Sequence, residues 1–458
     1  MAGAGSFRLA DVGRLLTVAW PLVLNNLFNI GVNVADTVMA GRLGATQLAA
    51  VALGSSIWIT IFLAGLGVVM AIGPTVAQHF GAGRLDEIGR DVRQGLWLAL
   101  LIAMPVVLVL RNFEPVMRWM DIEPLVAHLA QGYLDAISLG VVGCYWYHCL
   151  RQMNEGLGRT IPIMVIMGTS LPINVALNYI FMYGEFGAPR LGAVGAGLGS
   201  GLTFWCMCVF IGVYTSRHRF YRQFRLDAAP GMPCWRDMRQ LLAIGLPIGG
   251  SFMLQAGLFT VVALIMGSFG TIVVAAHAVT LNYASLIFMI PLGIAMATTA
   301  LVGQATGRGD LFAARRLGFA GIGLCGALMC LSAALTIVLA TPIARLYTPD
   351  PDVVALSSSL LMIAAVLQIG DGTQVTAGGA LRGLKDTRIP FLINAVVYWG
   401  VGFGVAYFCG VHLGYGARGV WLGLCCCLWV AAVVLSLRFY AVMGALIKNA
   451  PNPAVVRA

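Results

Sequence analysis

Long apolar runs alternate with short polar connections along the whole chain. Each run is about 20 residues, the length of helix that crosses a bilayer core. Twelve are counted, centred near residues 28, 62, 102, 138, 172, 204, 254, 286, 328, 366, 399 and 428. Lipid offers no partner to a backbone N–H or C=O, so this pattern predicts an all-α integral membrane protein. The first run extends from near Leu15 to about Ala40. That is too long for a signal-peptide core and no convincing cleavage site follows, so a retained helix is expected.

Composition agrees and removes other classes. Of 458 residues 59% are hydrophobic and 10% charged, against about 25% charged in soluble domains. Mean hydropathy is +0.88. With 28 basic and 18 acidic residues the chain cannot cover a soluble domain of this size, which excludes a soluble enzyme, a disordered chain and a collagen-like fibre. The longest connection, residues 217–239, is too short for a nucleotide-binding domain, and no GxxxxGK[ST] loop occurs. No ATP chemistry is therefore expected in the chain. The 11 cysteines do not read as a disulfide framework. Cys144, Cys206, Cys208, Cys325, Cys330 and Cys409 lie in apolar runs, and Cys425, Cys426 and Cys427 are consecutive, so they point to different sides of a helix. Small apolar filler is the reading for them.

Charge sets the orientation, because Lys and Arg collect in cytoplasmic loops. The N-terminus, the loops after even-numbered spans and the C-terminus carry 22 of the 28 basic residues, from Arg8 to Arg457, and the other side carries 6: Arg42, Arg111, Arg118, Arg190, Arg345 and Arg418. Both termini are expected in the cytoplasm and every basic residue in a loop. The net charge of +10 then reflects topology and anionic lipid headgroups, not nucleic acid.

The two halves repeat one another at an offset of 226: Pro21 meets Pro247, Gly41 meets Gly267, Gly44 meets Gly270, Gly67 meets Gly293, and Gln78-x-x-Gly81-x-Gly83 meets Gln304-x-x-Gly307-x-Gly309. Farther on, Gly192, Gly195, Gly199 and Trp205 match Gly416, Gly419, Gly423 and Trp429 at offset 224. The Gln-Gly-Gly series lacks the spacing of a dinucleotide fingerprint and reads as helix C-caps. Six spans per repeat is an even number, so the halves share one orientation. They are expected to be lobes related by a pseudo-two-fold along the membrane normal, residues 1–225 and 226–458. Repeats of this kind typically enclose a substrate site whose access alternates, which points to a secondary transporter.

Ionisable groups inside spans are expensive and therefore candidates for function. Asp36, Asp135 and Asp371 fall well inside spans, and Glu155 lies at the cytoplasmic end of the fourth. Asn25, Asn29, Asn33 and Asp36 share a side of the first helix. Asn174 and Asn178 are four apart in the fifth span; Gln368 and Gln374 flank Asp371; Gln255, His277 and Asn282 lie in the seventh and eighth. Intramembrane Asn and Gln also serve simply to bond helix to helix, and His277 reads first as an interface residue. Asp135, near the outer end of its span, ranks below Asp36 and Asp371.

Trp20-Pro21-Leu22, Asp36-Thr37-Val38-Met39-Ala40-Gly41 and Leu48-Ala49-Ala50-Val51-Ala52-Leu53-Gly54 resemble the opening of the multidrug and toxic compound extrusion (MATE) family, NorM-type branch. Asn174 to Asn178 with Tyr179-Ile180-Phe181 resembles its fifth helix, and Asp371 with Gly379-Ala380-Leu381-Arg382-Gly383 its tenth. The resemblance implies a V of two lobes that exports small lipophilic organic cations in exchange for Na⁺ or H⁺. It implies no enzyme activity, no cofactor and no ATP, a monomer among membrane lipids, and a place in a bacterial inner membrane. By position it implies that Asp36 works with Asn174 and Asn178, a possible Na⁺ shell, with Ser200 at a sixth-helix hydroxyl position. Asp371 is the acid of the second lobe. Gln255 stands where relatives of the NorM type usually carry glutamate, a departure that bears on the cation site of that lobe. A lipid-linked precursor flippase of the same superfamily is the alternative. It would handle an anionic head group and should show Arg or Lys in cavity-lining spans.

The topology is testable. Cysteine replacing Arg219 should label from the cytoplasmic side, and cysteine replacing Arg190 or Arg345 from the outside. Labelling of the 219 and 345 positions from one side would exclude twelve spans.

Overall fold

A computed structural model of the chain describes residues 9–226 and 232–449. Arg8 and Arg457, counted in the charge asymmetry, lie outside the described residues. Among the described residues eleven helices are long and apolar enough to cross a membrane. In chain order they are Leu9–Arg42, Ala45–Gly81, Leu85–Arg111, Ile161–Tyr183, Ala193–Arg217, Trp235–Gly267, Thr271–Gly307, Leu311–Tyr347, Pro351–Gly383, Arg388–His412 and Gly416–Asn449. Pro124–Ser138 and Val141–Gly156, bent by 51° at the break between them, make the fourth of twelve spans. The count and order agree with the apolar runs.

The breaks have local causes. At the fourth-span bend, Leu139 O accepts from the Trp205 indole at 2.9 Å, so a carbonyl freed by the bend finds a partner inside the protein. Gly140 lies there against the backbone of Gly201, with no room for a Cβ. The Gln-x-x-Gly-x-Gly segments are C-caps as expected. Helices end at Gly81 and Gly307, and Gly83 and Gly309 follow at φ +72° and +76°, a left-handed conformation that only glycine adopts cheaply.

The repeat read from the sequence recurs in three dimensions. Gly44 and Gly270 are both N-caps, at φ 119° and 106°. Trp205 donates to Leu139 O, and its match Trp429 donates to Val366 O at 3.1 Å. Gly195 sits against Phe181 O, and its match Gly419 sits against Cys409 O. Small residues let helix backbones approach closely where apolar burial gives no driving force in lipid.

The chain forms two compact units, one of Leu24–Phe252 and one of the residues up to Val23 with those from Met253 on. The first has a core that runs through spans two, three, four and six and takes in Met238 and Leu241 of the seventh. In the second, spans eight, nine and twelve pack around the tenth; one core gathers Leu258, Leu360, Trp421 and Leu424, and another Val302, Leu317, Leu381 and Phe439.

Gly67 gives a test of this packing, because a Cβ there would collide with the Gly249 backbone. Gly67→Ala should lower thermal stability in detergent by about 1–3 kcal/mol through overpacking. Gly212→Ala, with nothing within 4 Å, should be neutral or add roughly 0.5–1 kcal/mol from helix propensity. Equal melting temperatures for the two variants would contradict the close approach.

Candidate functional site

The fifth and sixth spans approach closely because the sixth is lined with glycine. A Cβ at Gly199 would strike Asn178 Oδ1. This brings Asn174, Asn178 and Ser200 to one place, where the first span adds Asp36. Asn178 Nδ2 donates to Asp36 Oδ1 at 2.5 Å and to Asn174 Oδ1 at 3.1 Å. Ser200 Oγ donates to Asp36 Oδ2 at 3.3 Å, and Asn174 Nδ2 donates to Ser200 Oγ at 3.4 Å. All four residues are buried. Every donor to the carboxylate is neutral, so no cation among the described residues balances its charge. Asn178 Oδ1 is buried without a hydrogen-bond partner among the described residues, and it leaves an acceptor free beside the acid. A carboxylate, two amide oxygens and a hydroxyl form an acceptor-rich group that suits a proton or a hard cation.

The second unit is arranged differently. Asp371 has a buried Oδ1 with no partner among the described residues, although its neighbours are engaged. Gln374 donates to the Tyr398 hydroxyl at 2.8 Å, and Gln368 accepts from Ser332 at 3.1 Å. Tyr398 lies in a π-helical stretch, Val396–Gly402, a wider turn frequent at functional sites. Gln255 is part-buried, and no hydrogen bond joins it to Asp371 among the described residues.

The other expected residues do not join either group. Asn29 and Asn33 are exposed although they share a helix side with Asp36; that side is too broad for one site, and Asn25 turns to a different network. Asp135 is exposed and accepts from Gln131 at 2.8 Å. His277 is buried with neither ring nitrogen bonded among the described residues, and packs edge-on against Trp421 at 5.7 Å. Asn282 is exposed and accepts from Tyr347 at 3.5 Å.

One expectation is corrected. Basic residues do not all lie in loops: Arg151 is buried within the helix Val141–Gly156. Its Nε donates to Glu155 at 2.7 Å, and Gln152 donates to the other carboxylate oxygen at 3.1 Å. Arg151 also reaches Asn26 Oδ1 at 3.5 Å, and Asn25, with its amide turned, accepts from Arg151 at 3.1 and 3.3 Å. A buried arginine is tolerable because the pair is neutral overall and its remaining donors are engaged. The signal was present in the sequence as opposite charges at i and i+4.

The MatE family model matches the chain twice, over residues 21–180 and 247–408. The chain belongs to the MatE family. The two matches begin at Pro21 and Pro247, the prolines that open the repeat, so the family's unit is one repeat. The chain is 38% identical over 94% of its length, and 95% of the relative's, to the multidrug resistance protein MdtK of Yersinia enterocolitica. Its fold is similar to the Vibrio cholerae MATE transporter VcmN in the bent form, at TM-score 0.87 and 19% identity over 95% of this chain and 98% of that one. It is also similar, at TM-score 0.86 and 20% identity over 98% and 99%, to a MOP superfamily transporter from Pyrococcus furiosus. That structure is described as having a binding pocket of reversed polarity that suggests a different function. Members of the MatE family are transporters, and this chain is a multi-pass membrane transporter, not an enzyme.

The two kinds of buried acid should separate by stability. Glu155→Ala strands the Arg151 charge and should cost about 3–5 kcal/mol, seen as a lower melting temperature in detergent. Asp36→Asn keeps an acceptor for Asn178 and should melt with the wild type. The reverse order would show that Asp36 is structural.

Proposed function

We propose that the protein is a multidrug efflux antiporter of the bacterial inner membrane that exports small lipophilic organic cations by alternating access, in exchange for H⁺ and/or Na⁺. Asp36 carries this reading: a buried carboxylate held only by neutral donors, beside an orphan amide oxygen. Such a group is satisfied either by a proton or by a cation, and that exclusivity is what an antiporter needs. Asp371 takes the same part in the other unit. Asn174, Asn178 and Ser200 set the shell around Asp36, and Gln255 takes the place of a second acid in the C-terminal lobe. The two repeats are residues 1–225 and 226–458, with both termini in the cytoplasm. The protein works as a monomer without ATP.

The names of the MdtK relatives support the multidrug reading. The flippase alternative needs an unbalanced basic group to hold an anionic head group. Arg151 is matched by Glu155, while Asp36 and Asp371 have no basic partner among the described residues, and these two acids favour cationic substrates.

Na⁺ is a hard ion that wants several oxygens. Asp36, Asn174, Asn178 and Ser200 supply them; Asp371, with Gln255 where an acid would stand, suits a proton. In proteoliposomes a proton gradient alone should drive efflux of a fluorescent organic cation, and any Na⁺ effect should depend on Asp36 more than on Asp371. Asp36→Asn and Asp371→Asn should each strongly reduce efflux at unchanged expression. Wild-type efflux by the double variant would remove both acids from the mechanism. An absolute need for Na⁺, lost in Asp371→Asn but kept in Asp36→Asn, would overturn the assignment of ions.

A further inference from the structure

Two ion pairs at helix ends take no part in the transport chemistry proposed above. Asp11, in the first turn of the first span, accepts from Arg316 Nε of the ninth at 2.9 Å. Asp237, in the first turn of the seventh span, accepts from Arg90 of the third at 2.7 Å. The offset of 226 carries Asp11 onto Asp237 and Arg90 onto Arg316. The two pairs are thus one contact made twice with the repeats exchanged. In each, the helix that opens one repeat is held by the third helix of the other.

The same exchange recurs deeper. A Cβ on Gly67 would collide with the Gly249 backbone, and a Cβ on Gly293 would meet Val23 N at 2.9 Å. Gly67 and Val23 map onto Gly293 and Gly249 at the same offset. Apolar side chains follow: Leu15, Ala19 and Leu22 are buried in the first span, and Met238, Leu241 and Ile248 in the seventh. The compact units agree, because each takes the opening half of the other repeat's first helix: one ends its share of the first span at Val23, and the other ends its share of the seventh at Phe252.

We propose that these two half-helices are clasps. Residues 9–23 stay with the unit from Met253 on, and residues 235–252 stay with the unit Leu24–Phe252, through the whole transport cycle. Glycine-lined packing supplies the grip. The ion pairs set direction and register: Arg90 is 59% and Arg316 26% exposed, against 14% for Asp237 and 8% for Asp11, and a pair with one partner open to water is weak. The consequence is that neither repeat moves alone: a displacement of one unit carries the first helix of the other repeat with it.

Charge exchange and crosslinking test this. Asp11→Arg and Arg316→Asp alone should each lower efflux about threefold, the scale of a partly exposed pair, and the double variant should recover. Asp237→Arg with Arg90→Asp should behave alike. Single reversals without effect, or doubles no better than singles, would overturn the proposal. In a background with native cysteines replaced, Asp11→Cys with Arg316→Cys, and Arg90→Cys with Asp237→Cys, are joined by a short bis-methanethiosulfonate linker. Joined protein in proteoliposomes should keep most of the transport it shows after reduction. Transport lost on joining and restored by reduction would mean that the clasps open in the cycle, and the proposal would fail. This arm holds even where a charge reversal reduces membrane abundance.

Discussion

Lipid cannot solvate a polar group, and the rest of this structure follows from that constraint. It makes the chain helical and obliges each irregularity to carry its own partner. The carbonyl at the bend of the fourth span is met by the Trp205 indole. Hydroxyls inside spans turn back onto their own helix, as Thr203 does to Gly199 O at 2.8 Å and Thr376 to Gly372 O at 2.8 Å. Helix contacts cannot draw on apolar burial as a soluble core does, so they rest on close backbone approach at glycine. Gly195, Gly199, Gly419 and Gly423 each lie against backbone or an amide side chain that a methyl group would displace.

The same constraint separates a balanced buried charge from an unbalanced one. Arg151 and Glu155 cancel one another in a network completed by Gln152, Asn25 and Asn26. That arrangement is satisfied and has no reason to change state. Asp36 is held by amides and a hydroxyl that orient it without neutralising it, so it retains a demand for positive charge. That unmet demand is what the proposed exchange of a proton for a cation rests on.

The repeat adds a second layer. Six helices copied once in the same orientation would in principle make two independent bundles. The exchange of opening half-helices makes each bundle composite, and the paired positions 11 with 316 and 237 with 90 show that both copies use the same contact. The chemistry is not copied so evenly. Among the described residues the amide shell around Asp36 has no counterpart of the same form around Asp371, whose neighbours Gln368 and Gln374 bond elsewhere.

The sequence by itself determined the number and order of the spans, the glycine caps at Gly83 and Gly309, the repeat, and the acids worth attention, because hydropathy, backbone conformation and the cost of a buried charge act locally along the chain. Tertiary structure alone decided which polar residues meet. Asn29 and Asn33 share a helix side with Asp36 yet stand exposed. Asn178 and Ser200, more than a hundred residues away, complete the site. Arg151 left the loops for the interior only because Glu155 and the first-span asparagines were there to receive it. Helical periodicity states the direction of a side chain to within a face, but the partner on that face comes from distant helices, and its identity depends on where glycine lets them close.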